Sequence, residues 1–277
     1  MCVSIFIQTL DEEQNLPSCL DSVSWSDDIV VLDSLSTDRT AEICRQRGVR
    51  LFQRAYDGRG PHQNWAMKNI DFKNRWVFYL DADEHMTPEL REEICKIAAN
   101  EEESRVAFFC GRKNMFRGRW LRRSMPPGHI MRFFRPEHIR FERLVNPTPI
   151  IDGPHGYLRS HFIHYNFSKG ITEWLQRHNR YSTYEAIEQI KALRERPVSW
   201  RALFSSDANT RRLEAKNISF RMPARPLLKF SLLYFLKLGF LDGRPGLTYC
   251  ALQALYEYEI CLKMAEMRRA ERGEAPS

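Results

Sequence analysis

Asp81 and Asp83 stand one residue apart at the end of the run Trp76-Val77-Phe78-Tyr79-Leu80. Two carboxylates at this spacing offer oxygen ligands to a hard divalent cation, and Mg²⁺ commonly bridges one or two of them to a substrate phosphate. The apolar, aromatic-rich run before them reads as a buried strand, so both acids emerge at its C-terminal end. Open α/β sheets bind ligands there. Asp-x-Asp also occurs in turns and helix caps, so the pair alone is a weak signal. Other residues strengthen it. Asp11 and Glu12 follow the run Val3-Ser4-Ile5-Phe6-Ile7. The stretch Asp33-Ser34-Leu35-Ser36-Thr37-Asp38 follows a second apolar run. Gly58-Arg59-Gly60-Pro61-His62-Gln63-Asn64 opens a segment that carries Lys68. A nucleotide needs an acceptor for its base N–H, partners for its ribose hydroxyls and a cation for its diphosphate, and these residue types provide all three.

The elements that must position these groups alternate. Val3 to Ile7 predicts a first strand, and Asp11 to Val23 a helix with acids at its N-terminus. Asp28 to Asp33 predicts a second strand, followed by a helix capped by Thr37 or Asp38 and running through Arg45. Val49 to Phe52 is the third strand, Pro61 to Ile70 a helix, Arg75 to Leu80 the fourth strand, and 87–99 a helix begun by Pro88. Such alternation implies an α/β fold, a mostly parallel sheet flanked by helices. Carboxylates at several strand ends would then share one sheet edge.

From about 104 the pattern changes. Val106 to Cys110, the segment after Arg117-Gly118, Ile130 to Phe134 and Phe162 to Tyr165 predict antiparallel additions to the sheet. From 167 the chain reads as helical: Ser168 to Ile190, Arg225 to Leu238 and Leu247 to Met267, with a Gly/Pro break over 239–246. No segment is an uninterrupted apolar run long enough to span a bilayer. Two readings stand for these helices: core helices packed on the sheet, or a basic, aromatic surface lying on a membrane. The division that follows is 1–100, 101–166 and 167–277.

Composition bounds the rest. The chain has 277 residues, 43% hydrophobic and 28% charged, as in a globular protein. Its seven cysteines are scattered with no Cys-x-x-Cys pair, which argues against a zinc site or disulfide framework and fits a reducing cytosol. No basic-then-apolar leader precedes the first strand, so a cytoplasmic location is expected. Net charge is +7 and the pI about 9.1, which suits phosphorylated substrates, an anionic membrane surface or mere solubility. Arg112, Lys113, Arg117, Arg119, Arg122 and Arg123, interleaved with Phe116 and Trp120, are either a solvated hairpin or a grip for an anionic acceptor. No groove-reading motif is present, so nucleic acid is not expected as a partner.

The motifs resemble family 2 glycosyltransferases with the GT-A (Rossmann-like) fold. Thr9-Leu10-Asp11-Glu12-Glu13 is similar to the family's opening Thr-x-Asn-Glu-Glu, with Asp11 in place of Asn. Val31 to Thr40 resembles its Val-Asp-x-x-Ser-Thr-Asp-x-Thr segment, and Leu80 to Glu84 its Asp-x-Asp motif. Gly60 to Ala66, Asp152-Gly153-Pro154, His164-Tyr165, His178 to Tyr181 and Gly239 to Gly246 resemble the bacterial branch that adds sugars to the lipopolysaccharide core.

That resemblance implies an inverting, metal-dependent transfer from a nucleotide sugar, a UDP-sugar in the first instance, to a glycolipid or lipid-linked glycan. The reaction would take place in the cytoplasm or on the inner face of its membrane. It implies that Thr9, Asp11, Glu12, Asp33, Ser36, Asn64, Lys68 and Asp81 line the nucleotide, Asp33 meeting the base and Asp81 the ribose. It implies Asp83, with His164, as ligands of Mg²⁺ or Mn²⁺. The branch's catalytic base lies in a Val-His-Glu segment. Here the His-Glu pair is replaced by Asn146-Pro147, which cannot take a proton, so the base falls to Glu142, then Asp152, then Glu84. Homo-oligomers remain open. The rivals are a nucleotidyltransferase, which would show glycines after the first strand, and a non-catalytic binding or scaffold protein that kept the fold.

Overall fold

The computed structural model describes residues 3–126, 128–142, 148–195 and 197–274. The chain forms two compact units, residues 1–120 with 127–168, and residues 121–126 with 169–277. The first unit opens with β1 (Val3–Thr9), α1 (Leu16–Val23), β2 (Ile29–Asp33), α2 (Thr40–Gln46), β3 (Arg50–Gln53), α3 (Arg59–Asn69) and β4 (Trp76–Asp81). These strands run parallel in the order β3-β2-β1-β4. Successive residues feed opposite faces of the sheet. Ile5, Ile7, Phe78 and Leu80 pack with Leu16 and Leu20 of α1, while Phe6, Leu32, Val77 and Tyr79 pack with Ala66 and Ile70 around α3. Burial on both faces explains why Ile5-Phe6-Ile7 of β1 and Trp76 to Leu80 of β4 are continuous apolar runs rather than alternating ones.

After β4 come the two-residue β5 (Glu84–His85) and α4 (Pro88–Ala98), whose first turn is capped by Thr87 Oγ1 accepting from Leu90 N. Then follow β6 (Ala107–Phe116), β7 (Arg119–Trp120), β8 (His129–Phe134), β9 (Ile139–Glu142), β10 (Thr148–Ile151) and β11 (His155–His164). β8 runs antiparallel between β4 and β6, β11 lies parallel to β6, and the end of β11 pairs antiparallel with β5. The result is the expected mostly parallel sheet with antiparallel additions. Residues on both sides of position 100 share it. β9 and β10 form a separate hairpin.

Strand register fixes the site. Thr9 is opposite Asp33 and Gln8 is opposite Asp81, so the C-terminal ends of β1, β2 and β4 finish level. On the far side, His164 pairs with Glu84 of β5 and with Asn114 of β6.

The local expectations need correction in places. The helix expected from Asp11 begins only at Leu16, because residues 11–15 turn to bond the loop after β2. Asp11 itself is left-handed (φ 53°), a conformation that Asp and Asn tolerate better than most residues. β6 extends six residues beyond Cys110. The short β5 and the β9–β10 hairpin had no periodicity long enough to read.

The second unit contains α5 (Gly170–Glu195), α6 (Ala208–Ser219), α7 (Arg225–Ser231) and α8 (Gly243–Glu271). α5 and α8 meet through Ala186, Ile190, Ile260 and Met264. The helix expected over 225–238 stops at Ser231 and continues as a π-helical turn, Leu232–Leu236. The Gly/Pro break is helical: Gly239–Asp242 make a 3-10 turn, and Gly243 to Gly246 form the first turn of α8, where Pro245 loses no needed N–H bond. No helix among the described residues is long and apolar enough to cross a membrane.

Candidate functional site

The two acids of the Asp-x-Asp pair have separate surroundings. β4 ends at Asp81, Ala82 and Asp83 turn, and β5 starts at Glu84. The turn folds back tightly enough for Glu84 Oε2 to accept Asp81 N–H at 2.9 Å. Glu84 is therefore buried beneath the sheet edge, while Asp81 and Asp83 both remain partly exposed at it.

Asp81 is surrounded by cations. Arg59 Nη2, from the first turn of α3, lies 2.7 Å from Asp81 Oδ2, and Arg132 Nη2, from β8, lies 2.9 Å from it. Tyr79 Oη is 2.5 Å from Oδ1. Burial would raise the Asp81 pKa, but the Arg59 and Arg132 guanidiniums outweigh it and hold the carboxyl well below the usual range. Arg132 also reaches Glu84 Oε1 at 2.6 Å. For Glu84, burial wins: it pushes the carboxyl up against the pull of Arg132, with Asp81's negative charge adding to the rise. The Arg132 guanidinium lies 4.3 Å from the centre of the Tyr79 ring.

Asp83 faces His164. Its Oδ2 is 3.3 Å from His164 Nε2, and its carbonyl accepts Tyr165 N–H at 2.9 Å. His164 Nδ1 is 3.0 Å from Asn114 Oδ1. With the Asn114 oxygen beside Nδ1, the Nε2 atom faces the Asp83 carboxylate, where a proton or a metal cation satisfies both groups. An imidazole whose other nitrogen is bonded to a carbonyl is the usual form of a metal-ligating histidine, so this donor set fits a divalent cation. Among the described residues, no cluster of three or more His, Cys, Asp or Glu is positioned to hold a metal ion, so Asp83 and His164 would be two protein ligands of a cation completed by substrate or water.

The nucleotide candidates gather at the ends of β1 and β2. Asp33 is fully buried and accepts from Thr9 Oγ1 (3.0 Å), Ser36 N (3.0 Å), Gln53 Nε2 (3.0 Å) and Ser36 Oγ. The loops after the two strands are zipped together. Ser36 Oγ accepts from Asp11 N at 2.8 Å, Asp11 Oδ1 from Thr37 N at 2.8 Å, and Asp38 Oδ2 from Glu13 N at 3.0 Å. Glu12 joins through its backbone N–H to Thr40 Oγ1 (2.8 Å). Thr9, Asp11, Glu12, Asp33 and Ser36 thus form one connected rim beside Asp81.

Other candidates are placed elsewhere. Asn64 clamps β9 to α3, donating to Phe141 O and accepting from Phe141 N. Lys68 is exposed in the last turn of α3, whereas Asp81 meets the first turn, so the cation beside the motif is Arg59. Glu142 is exposed on β9, 3.9 Å from Arg140. Asp152 is exposed and closes the hairpin through backbone bonds with His138. Neither carboxylate is brought to Asp83 and His164. Asn146-Pro147 lies outside the described residues. Glu84 is buried and committed to Arg132, so no acceptor hydroxyl can reach it.

Sequence reasoning missed Arg59 and Arg132. Arg132 did leave a signal: a lone charge inside Ile130-Met131-Arg132-Phe133-Phe134 belongs in a strand interior only with a buried partner. Also missed was a cavity of about 240 Å³ whose walls include His85, Phe116, Arg117, Tyr165 and Phe167. The His85 and Tyr165 rings are 4.7 Å apart there.

Comparison with known proteins gives the family. The chain is 24% identical over 265 residues to the lipopolysaccharide core biosynthesis glycosyltransferase LpsC of Rhizobium meliloti, covering 93% of this chain and 92% of the relative. It is 29% identical over 149 residues to an uncharacterized glycosyltransferase of Rickettsia typhi, 53% of this chain; the match spans about half (50%) of that relative's length. Among solved structures, S. aureus TarS 1–349 in complex with UDP-GlcNAc is similar at 16% identity and a TM-score of 0.45, over 99% of this chain and 93% of that one. Residues 4–165, more than half of the chain, match the model of glycosyl transferase family 2, and the protein belongs to that family.

Proposed function

We propose that this protein is an inverting glycosyltransferase. It moves a sugar from a UDP-sugar to a hydroxyl of a glycolipid or lipid-linked glycan at the inner face of the cytoplasmic membrane. The observation that carries the reading is the Asp83–His164 pair, 3.3 Å apart at the sheet edge next to an arginine-neutralised Asp81. The UDP nucleotide follows from the family resemblance. The acceptor class is supported by similarity along most of the chain to a relative named for lipopolysaccharide core biosynthesis.

In this reading Asp83 and His164 would hold Mg²⁺ or Mn²⁺, which would offset the charge on the departing nucleoside diphosphate. Asn114 keeps His164 in the ligating tautomer. The rim from Thr9 through Ser36 receives the nucleoside, and Asp33 stiffens it from below. Asp81, fixed by Arg59, Tyr79 and Arg132, presents an oriented carboxylate at the same edge. Arg59, with its side chain 42% exposed, meets the diphosphate in the place first given to Lys68. Glu84 is sealed by Arg132, which leaves the acceptor's proton to Glu142 or Asp152, both open to solvent.

The test is turnover of UDP-sugars by purified protein with Mn²⁺ or Mg²⁺. Release of UDP that depends on the cation and disappears in Asp83→Ala supports the reading. Unaltered turnover in that variant sinks the metal assignment. UDP binding without any turnover favours the non-catalytic alternative.

A further inference from the structure

We propose that residues 225–247 form a docking surface for an anionic lipid bilayer, with the π-helical turn Leu232–Leu236 and the loop after it as the inserting element. The purpose of such a surface rests on the glycolipid-acceptor reading, but its existence does not.

This segment displays large apolar side chains to solvent. Leu227 and Leu236 are 70% and 76% exposed, Phe235 is 58% exposed, and Leu232, Phe240 and Leu241 are exposed beside them. Scattered exposed leucines are ordinary, but a contiguous group is not. Ring contacts join its aromatic members across the loop. Phe230 stacks on Tyr234 at 5.2 Å, and Tyr234 lies 5.1 Å from Phe235 and 6.2 Å from Phe240.

The fold holds this apolar loop in one shape. Buried Asp242 accepts from Arg122 N (3.1 Å), Arg123 N (3.0 Å), Ser124 N (2.8 Å) and Ser124 Oγ (2.7 Å). A side chain at Gly239 would sit 2.6 Å from Leu233 O, and one at Gly246 would collide with Gly239 O. Leu238 adopts a left-handed backbone (φ 59°), which costs a residue with a Cβ about 1 kcal/mol. A loop built at this cost could have turned its leucines inward. Instead it presents them, and strain of this kind points to function.

Charge selects the partner. Between Glu214 and Glu257 the single acidic residue is Asp242, and it is buried. Lys237 and Arg244 are exposed on the segment, and Lys229 is partly so. Arg122 and Arg123, tied to Asp242 by their backbones, are exposed alongside. Arg225 does not contribute, since it is paired with Glu257. An exposed apolar segment that carries cations and no exposed acid suits the headgroup boundary of an anionic membrane. A neutral protein surface would not need the cations.

The test is flotation of the full chain with vesicles of phosphatidylcholine alone or mixed with phosphatidylglycerol. The expected result is binding at least tenfold tighter to the anionic vesicles, weakened tenfold or more in F235D/L236D. In K229E/K237E the preference for anionic lipid should shrink. Raising salt from about 0.1 to about 1 M, which shortens the screening length from about 10 to about 3 Å, should release the wild type. Thermal melting of the variants checks that these exposed substitutions leave the fold intact. Absence of wild-type binding, or binding unchanged in F235D/L236D, overturns the proposal. So does a concentration-dependent dimer that the same variant abolishes while vesicle binding is absent, because the patch would then cover a second copy. UDP-sugar hydrolysis without vesicles is measured separately, so failure of the enzymatic reading and failure of docking are distinguishable.

Discussion

Arg132 Nη2 lies 2.6 Å from Glu84 Oε1, and the two side chains are only 3% and 1% exposed. The same nitrogen is 2.9 Å from Asp81 Oδ2. One buried guanidinium therefore serves two carboxylates, one of which ends β4 while the other begins β5. This shared cation keeps the turn carrying Asp83 in place.

Removing Arg132 should be severe. Arg132→Met leaves Glu84 buried without its charge partner, and breaking one side of a buried pair typically costs about 3–5 kcal/mol. Urea unfolding should show a loss in that range. Adding Glu84→Gln should recover part of it, because the orphaned charge is gone. A loss below about 1 kcal/mol would mean that the cluster is not a stability element.

Glu84 should make stability depend on pH. Burial raises its folded pKa above the unfolded value, with Arg132 offsetting only part of the rise because it also serves Asp81. A raised carboxyl contributes most below the unfolded glutamate value of about 4.3, and its contribution is lost as pH rises through the folded value. Asp81 has the opposite sign. Its lowered pKa contributes stability above about 3.9, lost only in strong acid. Between weakly acidic and neutral pH, wild type should therefore lose stability relative to Glu84→Gln. Parallel pH profiles for the two proteins would refute this assignment.

Asn114 should tune the metal without touching it. Its oxygen lies 3.0 Å from His164 Nδ1, so Asn114→Ala frees the ring to change tautomer. Loss of such a support typically lowers metal affinity 10–100-fold. The Mn²⁺ concentration for half-maximal activity should rise by that factor while activity at saturating Mn²⁺ is largely retained. An unchanged Mn²⁺ dependence would remove His164 from the metal site.

Arg59 and Lys68 separate the two ends of α3. Arg59→Ala should raise the donor KM about tenfold or more, the loss of one charge-assisted contact of roughly 1.4 kcal/mol. Lys68→Ala, at the exposed far end, should leave it unchanged. The reverse ranking would show that the nucleotide runs along the helix rather than across its N-terminus.

How far the sequence carried can be argued from particular residues. Ile5-Phe6-Ile7, Ile29 to Leu32 and Trp76 to Leu80 are continuous apolar runs because parallel strands are covered on both faces, and the acids that follow the last two, Asp33, Asp81 and Asp83, come at strand ends. The periodic signal failed for β5 and the β9–β10 hairpin, which are only two to four residues long. It also failed for the onset of α1, where side chains bond across to a neighbouring loop instead of starting a helix.

By itself, then, the sequence determined the parallel sheet, the carboxylate-bearing edge and the pairing of acids at one-residue spacing, because these follow from local polarity and chain direction. Only the tertiary structure decided what surrounds each acid. Arg59 and Arg132 reach Asp81 from 22 and 51 residues away, and His164 reaches Asp83 through the pairing of β11 with β5. Such meetings depend on strand order and register, which no local window contains. For the same reason Asp81, fixed by two arginines, and Asp83, paired with a histidine, looked alike in the sequence and differ in the fold.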